Sequence, residues 1–161
     1  MGPAQTFGWR DPLLLRLATL AVLALLFQPV RPVLADQPMF HAEDGVAIDG
    51  YDTVAFFIEG RAVQGRPEFA VVWKGVVWRF VSVDNQYSFE ADPRAFAPLF
   101  GGYCAYAVSQ GYLMSGSPQS WQIVDGDLFL LYSPVVQEIW QSQASDLIAL
   151  ARVNWPEVLR H

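Results

Sequence analysis

The sequence has only one cysteine, Cys104, among 161 residues. A lone thiol has no partner within the chain, so an internal disulfide is excluded and stability must come from packing. The chain has the side chains for a packed core, because 14% of its residues are aromatic. Since aromatic side chains bury large apolar areas, we expect one folded domain held together by its core.

Basic charge is scarce as well. Lys and Arg number 10 against 16 Asp and Glu, which gives a formal net charge of −6 at pH 7. Nucleic acids and anionic membrane surfaces are bound through clustered basic side chains, and the basic residues here are scattered. We therefore expect no nucleic-acid partner. The sequence does not indicate a protein partner.

The first 35 residues have the pattern of a secretory signal peptide. Arg10 and Arg16 precede an uncharged apolar run, 17–27, and Val33-Leu34-Ala35 supplies small residues for cleavage after Ala35. The run is shorter than the roughly 20 residues that a membrane-spanning helix needs. We predict export to the periplasm or the exterior, with no membrane anchor after cleavage. Loss of three arginines and one aspartate would leave a mature chain with net charge −8.

Histidine is nearly as rare as cysteine, which limits the enzymatic possibilities. A thiol-dependent enzyme would have to pair Cys104 with His41, and Asp44 or Asp52 would orient the imidazole. Such a pair is required because the thiolate is the nucleophile and needs a neighbouring base or cation. No oxyanion motif accompanies these residues. The sequence therefore favours a non-enzymatic protein.

Paired metal ligands at short spacing, such as two cysteines separated by two residues, are absent from the sequence. Soft donors are nevertheless present in Met39, His41, Cys104 and Met114. Thioether, imidazole and thiolate groups suit Cu(I). A copper or zinc site that includes His41 and Cys104 is therefore one hypothesis for the ligand.

Turn and capping signals predict an α+β fold. Lys74-Gly75 and Asp125-Gly126 each separate two apolar runs and predict two hairpins. Asp49 or Asp52, Ser82, Ser133 and Ser145 are positioned to cap helices. We expect one small antiparallel sheet built from the two hairpins, covered by short helices, with a C-terminal helical extension. No internal repeat is evident from the sequence.

The segment FGGYCAYAVSQG, residues 100–111, has two interpretations. Free cysteine is among the most buried residue types, so Cys104 and its small neighbours fit a close-packed turn. The same segment could instead line a ligand pocket together with the turn at residues 51–52. The candidate ligand-binding residues are Tyr51, Asp52, Gly101, Gly102, Tyr103, Cys104, Tyr106 and Ser109.

Three segments taken together resemble the YHS-domain family, in particular its exported bacterial members. They are DGYDTVAFF, VVWKGVVWRFVS and FEADPRAFAPLFGGYCAYAVSQG, and the match runs from about Ala47 to Gly111. The resemblance divides the chain into an extended lead-in, 36–46, a YHS-like domain, 47–111, and a C-terminal hairpin with helices, 112–161, that packs on the same domain.

The resemblance implies a small α+β, treble-clef-like module, and metal binding is often inferred for members of this family. Cysteine-bearing members of the family carry two cysteines, and the corresponding positions here hold Val81 and Asn85. Valine has no donor atom, so the family's usual ligand pair is missing. The function we expect is a non-enzymatic exported module that binds a metal ion or a small ligand. The alternatives are a structural or protein-interaction domain without a small-molecule site and, third, a thiol-dependent enzyme.

Overall fold

Turn and capping residues divide the chain into short strands and short helices. The computed structural model describes residues 37–160, which belong to one compact unit, Ala35–His161. The predicted signal peptide, 1–35, lies outside the described residues. The predicted α+β class is confirmed, because hairpins and helices alternate along the chain.

The first half of the described chain, 42–96, contains four strands and three helices. Its strands are β1 (Ala42–Glu43), β2 (Val46–Ala47), β3 (Arg66–Trp73) and β4 (Val76–Phe80). Its helices are α1 (Thr53–Ile58), α2 (Val83–Ala91) and α3 (Pro93–Phe96). A 3-10 turn, Ile48–Gly50, leads into α1.

The second half, 99–160, begins with a 3-10 turn, Leu99–Gly102, and ends with another, Glu157–Arg160. Between them lie α4 (Ala105–Ser109), β5 (Ser117–Val124), β6 (Asp127–Leu131), α5 (Pro134–Ser142) and α6 (Ala144–Asn154). None of the helices within residues 37–160 has the length and apolar character that a membrane crossing requires.

The two hairpins belong to separate sheets, so the predicted single sheet is wrong. The first sheet has the order β1-β2-β4-β3, and β5 pairs with β6 in a second sheet of two strands. The outer side of β4 is already occupied, because β2 pairs with it in parallel at Val46 and Val77. The second hairpin therefore cannot extend the first sheet at that side.

Three of the predicted helix caps are confirmed. The side chains of Asp52, Ser82 and Ser133 accept hydrogen bonds from backbone N–H groups in the first turns of α1, α2 and α5. The prediction that Ser145 caps the last helix is wrong. Helix α6 follows α5 almost directly and begins at Ala144, so Ser145 already lies inside it.

The two halves repeat the same order of elements, which the sequence did not make evident. Each runs through a 3-10 turn, a short helix, a hairpin and two helices. The hairpins are 51 residues apart, since Arg66–Trp73 corresponds to Ser117–Val124. The strand pairing shifts register at equivalent positions, after Arg66 in the first hairpin and after Ser117 in the second. Both 3-10 turns also contain three consecutive residues of positive φ, at 48–50 and at 100–102. The predicted domain 47–111 thus covers the first half and only the beginning of the second.

The core consists of two clusters, and β6 contributes to both. Leu128 and Leu130 belong to the cluster of the first half, which also contains Trp78 and Phe89. Phe129 and Leu131 belong to the cluster of the second half. Successive side chains of a strand point to opposite faces, so a strand between two cores must be apolar at every position. This explains the continuous run Leu128–Leu131.

Candidate functional site

The glycine-rich turn at 100–102 binds the lead-in to the second half through a backbone hydrogen bond. Gly101 has φ 63°, and a Cβ atom at this position would collide with the carbonyl oxygen of Met39. The backbone N–H of His41 donates to the carbonyl of Gly101 at 2.8 Å. Glycine is needed here both for the left-handed conformation and for the close approach of the lead-in backbone. The turn therefore positions residues 39–41.

Tyr103 provides a second attachment of the lead-in. Its hydroxyl donates to the carbonyl of Pro38 at 2.9 Å, and its ring lies 5.5 Å from the His41 ring in an edge-on contact. Burial raises the pKa of the Tyr103 hydroxyl above its ordinary value of 10.0, because a phenolate would be poorly solvated there. The neutral hydroxyl is therefore the form that holds the lead-in.

Cys104 lies in an apolar environment, 1% exposed, in the core cluster of the second half. Its backbone N–H donates to the carbonyl of Met114 at 2.8 Å, and it forms a parallel bridge with Leu130. No hydrogen bond between Cys104 and His41 is present within the described residues. The thiol thus lacks the contact with a base that the thiol-enzyme hypothesis requires.

Asp52 occupies the equivalent position in the first half and is fully buried. Its Oδ1 accepts hydrogen bonds from the backbone N–H groups of Val54 and Ala55, at 2.8 and 3.1 Å. Its Oδ2 accepts from the backbone N–H of Val81 at 2.8 Å and from Asn85 Nδ2 at 2.7 Å. Four donors therefore surround this carboxylate, and they join α1 to the start of α2.

The network around Asp52 bears on the metal hypothesis. The resemblance to YHS domains places Val81 and Asn85 at that family's cysteine positions, and in the structure both residues direct N–H donors toward the carboxylate. Hydrogen-bond donors do not coordinate a cation, and the carboxylate is already saturated. Across residues 37–160 there is no group of three or more His, Cys, Asp and Glu side chains that could hold a metal ion. Val81 and Asn85 therefore do not supply the ligands of the metal centre that the resemblance implies.

The remaining candidate residues make structural contacts. Gln119 Nε2 donates to the Tyr51 hydroxyl at 3.1 Å, which joins β5 to the first half. Ser109 Oγ donates to the carbonyl of Tyr106 at 2.7 Å within α4. Asn154 Nδ2 donates to the carbonyls of Val108 and Ser109, at 2.8 and 3.1 Å. Of the predicted set, Gly101 also lines the open cleft described next.

That cleft, which we name the aromatic cleft, has a volume of about 250 Å³. It lies where the lead-in crosses from one half to the other, and its principal lining residues are Met39, Phe40, Trp73, Arg94, Phe100 and Trp155. The Phe40 and Trp73 rings are 5.2 Å apart, and the Phe100 and Trp155 rings are 5.9 Å apart. Four aromatic side chains and one exposed guanidinium therefore face the same opening.

The second half has a cleft at the equivalent place, which we name the paired cleft. It has a volume of about 240 Å³ and is lined mainly by Val124, Asp127, Ser145, Ile148, Ala149 and Arg152. Val124 and Ser145 stand 51 residues after Trp73 and Arg94. Here Arg152 donates to Asp127 at 3.2 Å. The paired cleft thus has no aromatic indole and carries its own ion pair.

Trp73, Arg94 and Trp155, which line the aromatic cleft, are not among the residues predicted from the sequence. They lie on a strand end, a four-residue helix and the end of α6, and no local motif connects them. Comparisons of the chain with protein-family models, with curated proteins and with solved structures gave no match.

Proposed function

We propose that this protein is an exported, non-enzymatic module of YHS type that binds a small organic ligand in the aromatic cleft. The observation that carries the proposal is the lining of this cleft by Phe40, Trp73, Phe100 and Trp155. Small-molecule sites are concave and mostly apolar, with a few polar groups that fix the ligand's orientation. The aromatic cleft has this composition, with Arg94 as its charged group.

The way in which the cleft is built supports a binding role. The lead-in contributes Met39 and Phe40, and it is fixed by the hydrogen bonds from His41 to Gly101 and from Tyr103 to Pro38. The wall that Met39 and Phe40 form is therefore held in place by hydrogen bonds within the protein, and a preorganised wall loses less conformational entropy on binding. The metal version of the proposal has weaker support, because Cys104 is enclosed by apolar side chains.

Native mass spectrometry and elemental analysis of protein expressed from the full sequence test this proposal. We expect an organic molecule to be retained, or to be taken up from a fragment mixture, with quenching of tryptophan fluorescence. A Trp73→Ala, Trp155→Ala double variant should lose the uptake. Stoichiometric copper or zinc without an organic ligand would favour the metal version and contradict the proposal.

An interaction domain without a small-molecule site is the second candidate. It is favoured by exposed apolar side chains at one end of α5, where Val135 is 67% exposed and Ile139 and the neighbouring Tyr132 are also exposed. Val135 and Ile139 are four residues apart and therefore share a helix face. This candidate predicts that Val135→Glu abolishes binding to a partner protein. It also predicts that neither the parent protein nor the variant takes up a small molecule.

A further inference from the structure

We infer that the aromatic cleft selects a small organic monoanion, namely a carboxylate attached to an apolar aromatic group, and that Arg94 is its charge partner. This inference rests on the proposed function, since it names the ligand class of the same cleft. It depends on the charges around Arg94, on the contrast with the paired cleft and on the shape of the lining.

Arg94 is the one charged residue among those that line the aromatic cleft. The ion pairs within residues 37–160 involve Arg61, Arg152 and Arg160, and Arg94 is in none of them. The carboxylate of Asp92, two residues away, accepts instead from the backbone N–H groups of Arg94 and Ala95, at 3.2 and 3.3 Å. The guanidinium therefore keeps its donors available at the opening of the cleft.

The paired cleft provides a comparison within the same molecule. It lies at the equivalent place in the repeat and has nearly the same volume, but its arginine is neutralised by Asp127. Val124 stands there at the position of Trp73. Phe129 is the one aromatic side chain that lines the paired cleft, whereas four line the aromatic cleft. Of the two clefts, only the aromatic cleft combines indole rings with an arginine that has no carboxylate partner among the described residues. This contrast assigns anion binding to the first cleft and not to the second.

The chemistry of the lining narrows the ligand further. A guanidinium presents paired N–H donors that match the two oxygens of a carboxylate. Indole and phenyl rings favour a flat apolar group through stacked or edge-on contacts. With one cation in the lining, a dianionic phosphate would leave charge uncompensated against apolar walls, which is unfavourable. The volume is slightly below the range of about 300–1,000 Å³ that is typical of drug-sized ligands.

A matched pair of probes tests the inference. 3-Phenylpropanoate and 3-phenylpropanamide have nearly the same shape and differ in charge. We expect calorimetric titration of protein expressed from the full sequence to give a Kd for the acid at least about tenfold below that of the amide, since charge-assisted hydrogen bonds are the stronger ones. Added salt should reduce this difference, because it screens exposed charges.

Two variants locate the effect. Arg94→Gln should raise the Kd of the acid to that of the amide, while Arg94→Lys should retain part of the difference because it keeps the charge. Arg152→Gln, in the paired cleft, is the matched control and should leave the ratio of the two Kd values unchanged. Arg94 is exposed, so the melting temperature of Arg94→Gln should match that of the parent protein.

The possible outcomes separate the inference from the proposed function. If the acid and the amide bind equally well, the charge inference is wrong and the proposed binding cleft stands. If selectivity is lost in Arg152→Gln and kept in Arg94→Gln, the assignment to the aromatic cleft is wrong. If neither probe nor any other fragment binds, both proposals are wrong.

Discussion

The residue before the first short helix in one half is Asp52, and at the equivalent position in the other half it is Cys104. Both are buried and both precede a helix that opens at the next residue. Asp52 caps its helix with its side chain, whereas Cys104 makes no side-chain cap. The same backbone geometry is therefore held by hydrogen bonds in the first half and by apolar packing in the second.

The neighbours of the two residues explain this difference. Asn85 donates to Asp52, and the residue 51 positions later is Val136, which packs against the core of the second half. A carboxylate at position 104 would have no counterpart of the Asn85 side chain, because position 136 is a valine. Polar and apolar versions of one turn thus require matched partners, because a buried polar atom without a partner is costly.

The largest effect that we expect comes from Asp52→Ala. The substitution removes the acceptor for three backbone N–H groups and for Asn85 Nδ2. Buried donors without partners and a lost helix cap together should lower the free energy of unfolding by about 3–4 kcal/mol. Urea unfolding at neutral pH measures this change.

Asp92→Ala is the matched control for Asp52→Ala. Asp92 also accepts from two backbone N–H groups at a helix start, but it is exposed and lacks the other two donors. Its loss should cost about 1 kcal/mol, as is typical of a helix cap. Equal effects of the two substitutions would show that the donors from Val81 and Asn85 contribute nothing.

A smaller effect is expected from Cys104→Ala. Cys104 packs among apolar side chains, so removal of the sulfur should leave a small cavity and lower the free energy of unfolding by about 1–2 kcal/mol. The native thiol should react slowly with N-ethylmaleimide, because it is 1% exposed, and quickly in denaturant. Rapid alkylation of the native protein would contradict the packing role and revive the thiol-enzyme hypothesis.

Tyr103→Phe removes the hydrogen bond to Pro38 and should lower the free energy of unfolding at neutral pH by about 1 kcal/mol. The pKa of Tyr103 is raised by burial, so the unfolded chain loses this proton at a lower pH than the folded protein. Stability from this group is therefore complete below pH 10.0 and is lost as the pH rises above it. Tyr103→Phe should make the loss shallower when thermal unfolding is followed across this range.

Tyr51→Phe is the control for Tyr103→Phe, because Tyr51 is the equivalent tyrosine of the first half. Its hydroxyl accepts from Gln119 at an exposed site. This substitution should have little effect on the unfolding free energy, since exposed hydrogen bonds compete with water. If Tyr51→Phe lowered the free energy of unfolding as much as Tyr103→Phe does, the hydrogen bond from Tyr103 to the lead-in would contribute no more than the exposed one at Tyr51.

The two halves also show which parts of the fold could be predicted from the sequence. The hairpin turns at Lys74-Gly75 and Asp125-Gly126, and the caps at Asp52, Ser82 and Ser133, are confirmed. Each depends on interactions between residues close in the chain. The repeat left a weak trace, because Gly65, Gly75 and Ser82 recur 51 residues later as Gly116, Gly126 and Ser133. Most other positions differ, so this trace is easily overlooked.

Of the residues that line the aromatic cleft, only Gly101 was among the predicted ligand-binding candidates. The segment 100–104 does position another part of the chain, through Gly101 and Tyr103, but the open cleft depends on Trp73, Arg94 and Trp155. These residues are far apart in the sequence and carry no shared pattern. They come together only because the two halves of the chain pack against the lead-in, and such contacts between distant segments cannot be predicted from local sequence.

The α+β class, both hairpin turns and three helix caps follow from the sequence, because turn and cap preferences depend on a few neighbouring residues. The other features arise only when the chain has folded. It separated the hairpins into two sheets, placed β6 between two cores, surrounded Asp52 with donors from Val81 and Asn85, and left Arg94 without a carboxylate partner among the described residues. These features result from packing between distant segments, where burial and the pairing of polar groups are satisfied together.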